Sequence, residues 1–352
     1  MIELRYKILI VITIILCACT NEPEQKPPPP EKPPPPPPEV TELMDVMKTV
    51  GVPAFNSDSA YYFIEKQVSF GPRVISSNGW ENCGDWLEKK LTNYADTVII
   101  QQSSITTYDG KNHTLKNIIS SFSPEKKKRI ALFAHWDTRH IADQSDPIIY
   151  LPIDGANDGG SGVGVLLEMA RQFSLKNPKI GVDIILFDAE DYGEPTIENK
   201  DYKNMEEYKR DVERMEKEWC KGSRYWSKNP HKKNYSAKYG ILLDMVAGKN
   251  AKFYLEGNSV KDASPVVQKV WKKGHQLGYE KYFIFQKTDG IMDDHIPINK
   301  SSLGIPTIDI VEFSPSGNFN KHWHTHQDNM NNIDKETIKA VGQTLLGVVY
   351  NE

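Results

Sequence analysis

This 352-residue chain has little cysteine, no large excess of either charge and no long apolar run. It has four cysteines and a formal net charge of −4. The apolar segment 8–16 is too short to span a membrane as a helix. No basic stripe is present, which argues against a nucleic-acid partner. The aliphatic and aromatic content instead suits a globular fold, long enough for one large α/β domain or two smaller ones.

Residues 1–19 have the pattern of an export signal. Arg5 and Lys7 precede the apolar run, which ends in Leu-Cys-Ala-Cys at residues 16–19. This resembles a bacterial lipoprotein signal, in which the cysteine after Leu-x-Ala is lipidated, so Cys19 is the expected lipid site. An ordinary signal peptide cut nearby is the alternative. We expect an exported protein, lipid-anchored to a bacterial membrane at the periplasmic face of the outer membrane.

A proline-rich linker is predicted at residues 20–39. Its prolines exclude helix and sheet and favour an extended polyproline helix, which would hold the following domain roughly 50 Å from a membrane surface. No second linker and no internal repeat follow, so residues 40–352 are predicted to form one catalytic domain. The sequence leaves open whether Cys83 and Cys220, the cysteines of this domain, are free or form a disulfide.

Helix and strand signals alternate along this domain. The predicted helices span residues 58–68, 79–92, 163–173 and 335–350, the last capped by Asn332 or Asp334. The predicted strands span residues 97–103, 117–122, 129–135, 182–187, 241–246, 253–256, 282–286 and 307–312. The alternation indicates an α/β fold, with one globular domain built on a mixed, mostly parallel twisted sheet flanked by helices on both faces.

Acidic residues and histidines follow several of these strands, where open sheets of this type bind ligands. They are His135, Asp137, Asp188, Glu190, Asp191 and Asp244, together with the HWHTH stretch at 322–326. Each acid alone could cap a turn, but so many carboxylates in an empty pocket would disfavour one another's ionisation. A bound dication removes that conflict, and oxygen and nitrogen ligands without a well-placed thiolate suit zinc.

The histidines of HWHTH alternate with other residues. If this stretch is extended, His322, His324 and His326 project to the same side, because successive side chains of a strand point to opposite faces. Most histidine-rich tracts are nevertheless solvated loops. Spacing alone therefore leaves open which imidazole would bind a metal.

Six segments occur in an order that carries a family resemblance. They are AHWDTR (134–139), DGANDGGSG (154–162), FDAED (187–191), LLDM (242–245), DDHIP (293–297) and WHTHQDN (323–329). These segments resemble the motifs of glutaminyl cyclases and of the co-catalytic zinc aminopeptidases. The resemblance extends from about residue 70 to the C-terminus. It implies a zinc aminopeptidase-like fold and one of these two activities.

The resemblance also assigns roles to individual residues. It implies that zinc binds Asp158, Asp191 and His324, and that Glu190 transfers protons. His324 is selected because it precedes Thr in the Trp-His-Thr of the family. His322 and His326 have no such match and are expected to be loop residues that do not bind the metal directly.

Two features favour the cyclases. Asp293 stands where the aminopeptidases usually carry Ser, and the resemblance implies that it hydrogen-bonds the reacting amide. Trp323, beside the zinc histidine, would form an apolar wall for a small side chain. Asp244 is expected to support this network. Trp219 would form either a second wall or part of the core.

Two positions depart from the pattern of animal cyclases. These cyclases have Glu where this chain has Asp191, and Gln where it has Met292. Since Asp is one methylene shorter, the metal is expected to lie nearer that strand end. The insertion 192–218, rich in Glu and Lys, is predicted to be a solvated lid or a surface helix.

We expect a glutaminyl-peptide cyclotransferase that acts on peptides or proteins with N-terminal glutamine and binds one zinc ion per chain. The alternative is an aminopeptidase with two zinc ions, bound by His135, Asp158, Asp191, Asp244 and His324. A non-enzymatic binding module is disfavoured because Glu190 is intact. The sequence does not determine the oligomeric state, and a monomer is favoured.

Overall fold

Eight strands are present in the part of the chain that the computed structural model describes, residues 51–195 and 203–352. The strands are β1 (Thr97–Thr106), β2 (Asn112–Phe122), β3 (Arg129–His135), β4 (Gly181–Phe187), β5 (Gly240–Asp244), β6 (Phe253–Leu255), β7 (Phe283–Lys287) and β8 (Thr307–Val311). Six of them form one sheet in the order β1-β2-β4-β3-β5-β8, while β6 and β7 form a separate pair.

The central sheet is mixed and mostly parallel. Strands β4, β3, β5 and β8 pair in parallel, whereas β1 and β2 are antiparallel at one edge. From β3 the chain first crosses to β4 on one side and later to β5 on the other. The carboxyl ends of β3 and β5 therefore diverge at a topological switch point, where α/β sheets bind ligands.

Helices cover both faces of this sheet, which confirms the predicted fold class. They are α1 (Ser57–Val68), α2 (Asn78–Thr92), α3 (Gly160–Leu175), α4 (Met205–Glu216), α5 (Lys221–Lys228), α6 (Gly257–Gln276), α7 (His295–Asn299) and α8 (Lys335–Tyr350). Alternate residues of β3 belong to different apolar clusters. Leu132 packs in the cluster that contains α1, α3, α6 and α8, while Phe133 packs with Trp226 of α5 and Ile298 of α7. Burial on both faces explains the nearly continuous apolar sequence of these strands.

Most predicted elements are present within a few residues of their expected bounds, with some corrections. Helices α5, α6 and α7 were missed. In α6 the apolar periodicity is interrupted by Pro265 and by a non-helical Ala263 at φ −145°, and α7 has only five residues. The strand predicted at 241–246 ends at Asp244, since Met245 has a left-handed φ of 49°. Asp334, not Asn332, caps the last helix.

The export signal at 1–19, Cys19 and the linker at 20–39 lie outside the described residues, as does the segment 40–50 of the predicted catalytic domain. Among the described residues, none of the helices combines the length and apolarity that crossing a bilayer requires.

Gly162 allows α3 to pack directly on the sheet. A Cβ atom at this position would lie 2.3 Å from the carbonyl oxygen of Leu243 in β5 and 2.9 Å from the Cβ of Ala134 in β3. Both neighbours are buried, and one of them is backbone, so neither can move aside cheaply. The glycine therefore sets the distance between α3 and the strand ends that carry the polar residues.

We predict that Gly162→Ala destabilises the protein by about 1–3 kcal/mol, the usual cost of overpacking a core. Ser174→Ala, on the exposed end of the same helix, should change the free energy of unfolding by less than about 0.5 kcal/mol. Denaturant unfolding of the two variants measures both values. Equal stability of Gly162→Ala and Ser174→Ala would contradict the close packing of α3 on the sheet.

Candidate metal centre and catalytic cavity

Three buried side chains converge at the carboxyl edge of the sheet. Asp158 precedes α3, Asp191 follows β4 and His324 follows β8. Nε2 of His324 lies 3.1 Å from Oδ1 of Asp191 and 3.6 Å from Oδ2 of Asp158. The Oδ2 atoms of both aspartates are buried without a hydrogen-bond partner among the described residues. This donor set of two carboxylates and one imidazole fits a divalent cation such as zinc.

A second set shares Asp158 with the first. Nε2 of His135, at the end of β3, lies 3.1 Å from Oδ1 of Asp158 and 3.2 Å from Oδ1 of Asp244, at the end of β5. The three residues could also hold a metal ion. Without one, the imidazole of His135 joins the two carboxylates directly. The structure therefore brings together all five ligands of the two-metal alternative.

Glu190 lies beside these residues, with an environment suited to proton transfer. Burial, together with the negative charges of Asp191 and Asp293, raises the pKa of Glu190 well above its usual value. The thiol of Cys220 donates a hydrogen bond to Oε1 of Glu190 at 3.3 Å. A thiol therefore lies beside Glu190. Burial raises the pKa of Cys220 and keeps it protonated, so the prediction that the site has no well-placed thiolate is not contradicted.

Cys220 forms no disulfide with Cys83. Both thiols are free and buried. Burial raises the pKa of Cys83 to about 12, so it too stays protonated at neutral pH. Of the two options that the sequence left open, the structure has the free thiols.

A cavity of about 550 Å³ opens onto Glu190 and the residues of the first set. Its walls include Asp293, Met292 and both tryptophans that the sequence singled out. The ring centroid of Trp323 lies 3.9 Å from that of His324. The ring of Trp219 is nearly parallel to the imidazole of His324, with 6.0 Å between their centroids. Trp219 is therefore a wall of the cavity, where the sequence could not distinguish this role from core packing.

Residues 117–349 match the family model of peptidase family M28. The chain belongs to this family. The matched range contains every residue of the first set.

Two similar solved structures each cover 86% of this chain. A glutaminyl cyclase from Bacteroides thetaiotaomicron, solved with N-acetylhistamine, is 48% identical to this chain, with a TM-score of 0.79. The match covers 86% of this chain and 99% of the cyclase chain. A zinc-dependent exopeptidase from Parabacteroides distasonis is also 48% identical, with a TM-score of 0.78, and covers 86% of this chain and 100% of its own. Relatives of both activities therefore share this fold.

A curated relative, the glutaminyl-peptide cyclotransferase of Boiga irregularis, is 25% identical over 269 residues. The alignment covers 66% of this chain and 64% of that relative. The M28 chain thus spans slightly less than two thirds of the length of this relative.

Two residues that the sequence reasoning left without a role hold His324 in this M28 protein. Nδ1 of His324 lies 3.0 Å from Oδ1 of Asp143. Arg139 donates to both carboxylate oxygens of Asp143 and to the backbone carbonyls of Asp191 and Gly193. Because Nδ1 is held by Asp143, Nε2 faces the carboxylates. Arg139 could have been noticed because it belongs to the AHWDTR segment of the family resemblance. Nothing in the sequence singled out Asp143.

Two further aspartates hold the backbone at the ligands. Asp137 accepts from the backbone N–H groups of Glu190 and Asp191 at 3.1 and 3.0 Å. Asp328 accepts from those of Asn157 and Asp158 at 2.8 and 3.0 Å. Each carboxylate thus fixes a turn that carries a ligand of the first set.

Asp188 does not join the cluster, contrary to expectation. It accepts hydrogen bonds from the indole of Trp80 at 3.0 Å and from the backbone of Lys116 at 2.7 Å. Ala189, with a left-handed φ of 53°, separates it from Glu190. This turn sends Asp188 and the two following acids in different directions.

The HWHTH stretch is not extended, so its three histidines do not share the common face that an extended strand would give them. It folds into turns, and His324 has a left-handed φ of 51°. Nε2 of His326 contacts the carbonyl of Pro152 at 3.1 Å, while His322 is only partly buried. Only His324 of the three belongs to a possible metal cluster in the described residues.

The insertion 192–218 contributes a wall to the cavity. The sequence alone left open whether this insertion lies near the site. Residues 196–202 of it lie outside the described residues. Its helix α4 places Tyr208, Val212 and Met215 along the cavity. The prediction of a surface helix is confirmed, and this helix also borders the candidate site.

In the metal-free protein, we predict that stability falls as the pH rises from about 4 to 7. Burial raises the pKa of Asp191 to about 6 and that of Asp244 to about 7. Unfolded carboxyl groups lose their protons near pH 4. In this window the native state binds more protons than the unfolded state, so each raised carboxyl lowers the free energy of unfolding as the pH rises.

Asp244→Asn removes one of these groups without changing its shape. With a chelator present, its loss of stability between about pH 5 and pH 7 should be smaller than that of the unchanged protein. Denaturant unfolding at both pH values measures the difference. A decline as steep in Asp244→Asn as in the unchanged protein would contradict the raised pKa of Asp244.

Proposed function

We propose that this M28 protein converts the N-terminal glutamine of peptides and proteins into pyroglutamate and releases ammonia. The observation that carries this proposal is the presence of Asp293 and Trp323 in the same cavity as Glu190 and the first metal set. The 48% identity to a bacterial glutaminyl cyclase supports it.

We propose one zinc ion per chain, held by Asp158, Asp191 and His324. When bound, zinc supplies a Lewis acid that polarises the side-chain amide carbonyl of the substrate. The buried, unpartnered carboxylate oxygens of Asp158 and Asp191 support this assignment, because a dication compensates their charges. The 48% identity to a zinc-dependent exopeptidase also supports zinc.

Glu190 is assigned the proton transfers of this reaction. It accepts a proton from the α-ammonium group of the substrate and returns it to the leaving nitrogen. Its raised pKa suits both steps, since a carboxyl group that titrates nearer neutrality can take up and release a proton. The hydrogen bond from Cys220 holds its carboxylate in the cavity.

The remaining groups orient the substrate. Asp293 binds the reacting amide, and Trp323 and Trp219 enclose its side chain. Asp244 supports the network through His135. Because the nucleophile is the substrate's own amine, the reaction gains from proximity and needs no activated water.

A two-zinc aminopeptidase is the second candidate function. The set His135, Asp158 and Asp244 favours it, since these atoms lie close enough together for a second metal ion. In the proposed cyclase, Nε2 of His135 instead makes a hydrogen bond of 3.2 Å with Asp244 and lies 3.1 Å from Oδ1 of Asp158. Ligand number therefore does not separate the candidates, but their products do.

The deciding experiment compares two reactions of the same purified protein. Ammonia release from a glutaminyl dipeptide reports cyclisation, and chromophore release from a leucyl amide reports aminopeptidase activity. We expect cyclisation only. Release from the leucyl amide without ammonia from the dipeptide would overturn the proposal in favour of the aminopeptidase.

Replacement of two neighbouring acids should separate metal binding from proton transfer. Glu190→Gln keeps the shape of the site but cannot accept a proton, so kcat should fall by about 10² to 10⁴ with unchanged zinc content. Asp191→Asn should weaken zinc binding, and excess zinc should recover part of its activity. Near-normal kcat in Glu190→Gln would contradict the assigned proton transfer.

We also propose that the protein is exported and anchored to a bacterial membrane by a lipid on Cys19, at the periplasmic face of the outer membrane. The order of signal pattern, cysteine and proline-rich linker in the sequence supports this.

Cys19→Ser should release the protein from the membrane, because it removes the acceptor atom for the lipid. Fractionation of the producing cells into membrane and soluble fractions measures this. Cys83→Ser is a matched control, since it removes a buried cysteine elsewhere and should leave the protein in the membrane fraction. Persistent membrane attachment of Cys19→Ser would show that another segment is the anchor.

A further inference from the structure

Helix α4 has an apolar face that borders the catalytic cavity. Tyr208, Val212 and Met215 follow the i, i+4, i+7 spacing that places residues on one side of a helix. All three line the cavity. The opposite side of the helix carries charged residues such as Arg210 and Glu213, which are exposed. The helix is therefore amphipathic, with its apolar side toward the substrate.

This apolar face does not pack into the core. No residue of α4, all of which the structure describes, is fully buried, although Val212 and Met215 are partly covered. A ligand that covers an apolar helix face at the edge of a cavity gains binding free energy, because burial of apolar surface is its main source.

The cavity is one continuous space between α4 and the proposed catalytic residues. It is lined by Glu190 and Asp293 as well as by α4, and its other walls include Ile291, Phe313 and Phe319. A volume of about 550 Å³ lies within the range of pockets that enclose drug-sized ligands. It therefore has room for more than a glutamine side chain.

We propose that α4 binds the side chain of the residue that follows the N-terminal glutamine, and that the enzyme prefers peptides with an aliphatic or aromatic residue there. The inference rests on the proposed cyclase function. With glutamine held at Glu190, Asp293 and Trp323, the chain continues through the same cavity. The next side chain then lies between Val212 and Met215 on α4 and the apolar residues opposite.

The charges of the cavity exclude acidic residues from this position. Glu216, at the end of α4, joins the carboxylates of the catalytic residues in lining it. No lysine or arginine is among the described residues of the lining. Since zinc would compensate the carboxylates of the metal set, Glu216 is the group that repels an acidic side chain beside α4. An aspartate or glutamate after the glutamine would also lose hydration without gaining a cationic partner.

The test measures kcat/KM for ammonia release from Gln-Gly, Gln-Phe and Gln-Glu amides. We expect Gln-Phe to exceed Gln-Gly by about tenfold, as burial of a large apolar side chain allows, and Gln-Glu to be the poorest substrate. The double variant V212S/M215S should lose about tenfold more kcat/KM for Gln-Phe than for Gln-Gly. Glu213→Ala, on the outward side of α4, is the matched control and should keep the preference.

Val212→Lys tests for a gain of activity toward an acidic substrate, which general damage to the helix could not produce. A cation on this face should raise kcat/KM for Gln-Glu relative to Gln-Phe. If the order of the three substrates is unchanged in both V212S/M215S and Val212→Lys, α4 does not set the preference. That result would leave the proposed cyclase function intact. Absence of ammonia release from every glutaminyl amide, with the unchanged protein, would overturn the proposed cyclase function and the preference with it.

Discussion

Close approach of like charges in a buried pocket is the constraint on which the rest of the structure depends. Asp158 is shared by two clusters, with His324 and Asp191 on one side and His135 and Asp244 on the other. Buried carboxylates repel one another and have lost water, so they must bind protons, accept hydrogen bonds or hold a cation. The first cluster contains the unpartnered carboxylate oxygens, and in the second an imidazole already joins the two carboxylates. This difference supports our proposal of one metal ion at the first cluster.

The surrounding structure holds these groups at some energetic cost. Ala189, Cys220, Met245 and His324 all have left-handed backbone conformations, which are uncommon for residues other than glycine. Such strain persists only where neighbours over-determine it. Here Asp137 and Asp328 bind the backbone at the ligands, and Arg139 and Asp143 fix the imidazole of His324. The same constraints aim Glu190 into a cavity with apolar walls.

The predictable parts are those with strong local patterns. Apolar runs indicated β4 and β5, and the ends of these strands indicated where Asp191 and Asp244 would lie. The family resemblance selected His324, which spacing alone did not. Asp188 was misassigned because the left-handed turn at Ala189 leaves no periodic signal. Asp143 and Cys220 act through contacts between segments far apart in the chain, so sequence periodicity could not identify them.

We propose that one zinc ion at Asp158, Asp191 and His324 makes this site competent, while His135 and Asp244 act through the hydrogen bond between them. The most direct measurement is a titration of the metal-free protein with zinc, following bound metal and ammonia release together. The rate should rise linearly and reach its plateau at about one zinc per chain, because three protein ligands of one structural or catalytic site bind a single zinc ion. A rate that keeps rising until two zinc ions are bound would contradict the claim.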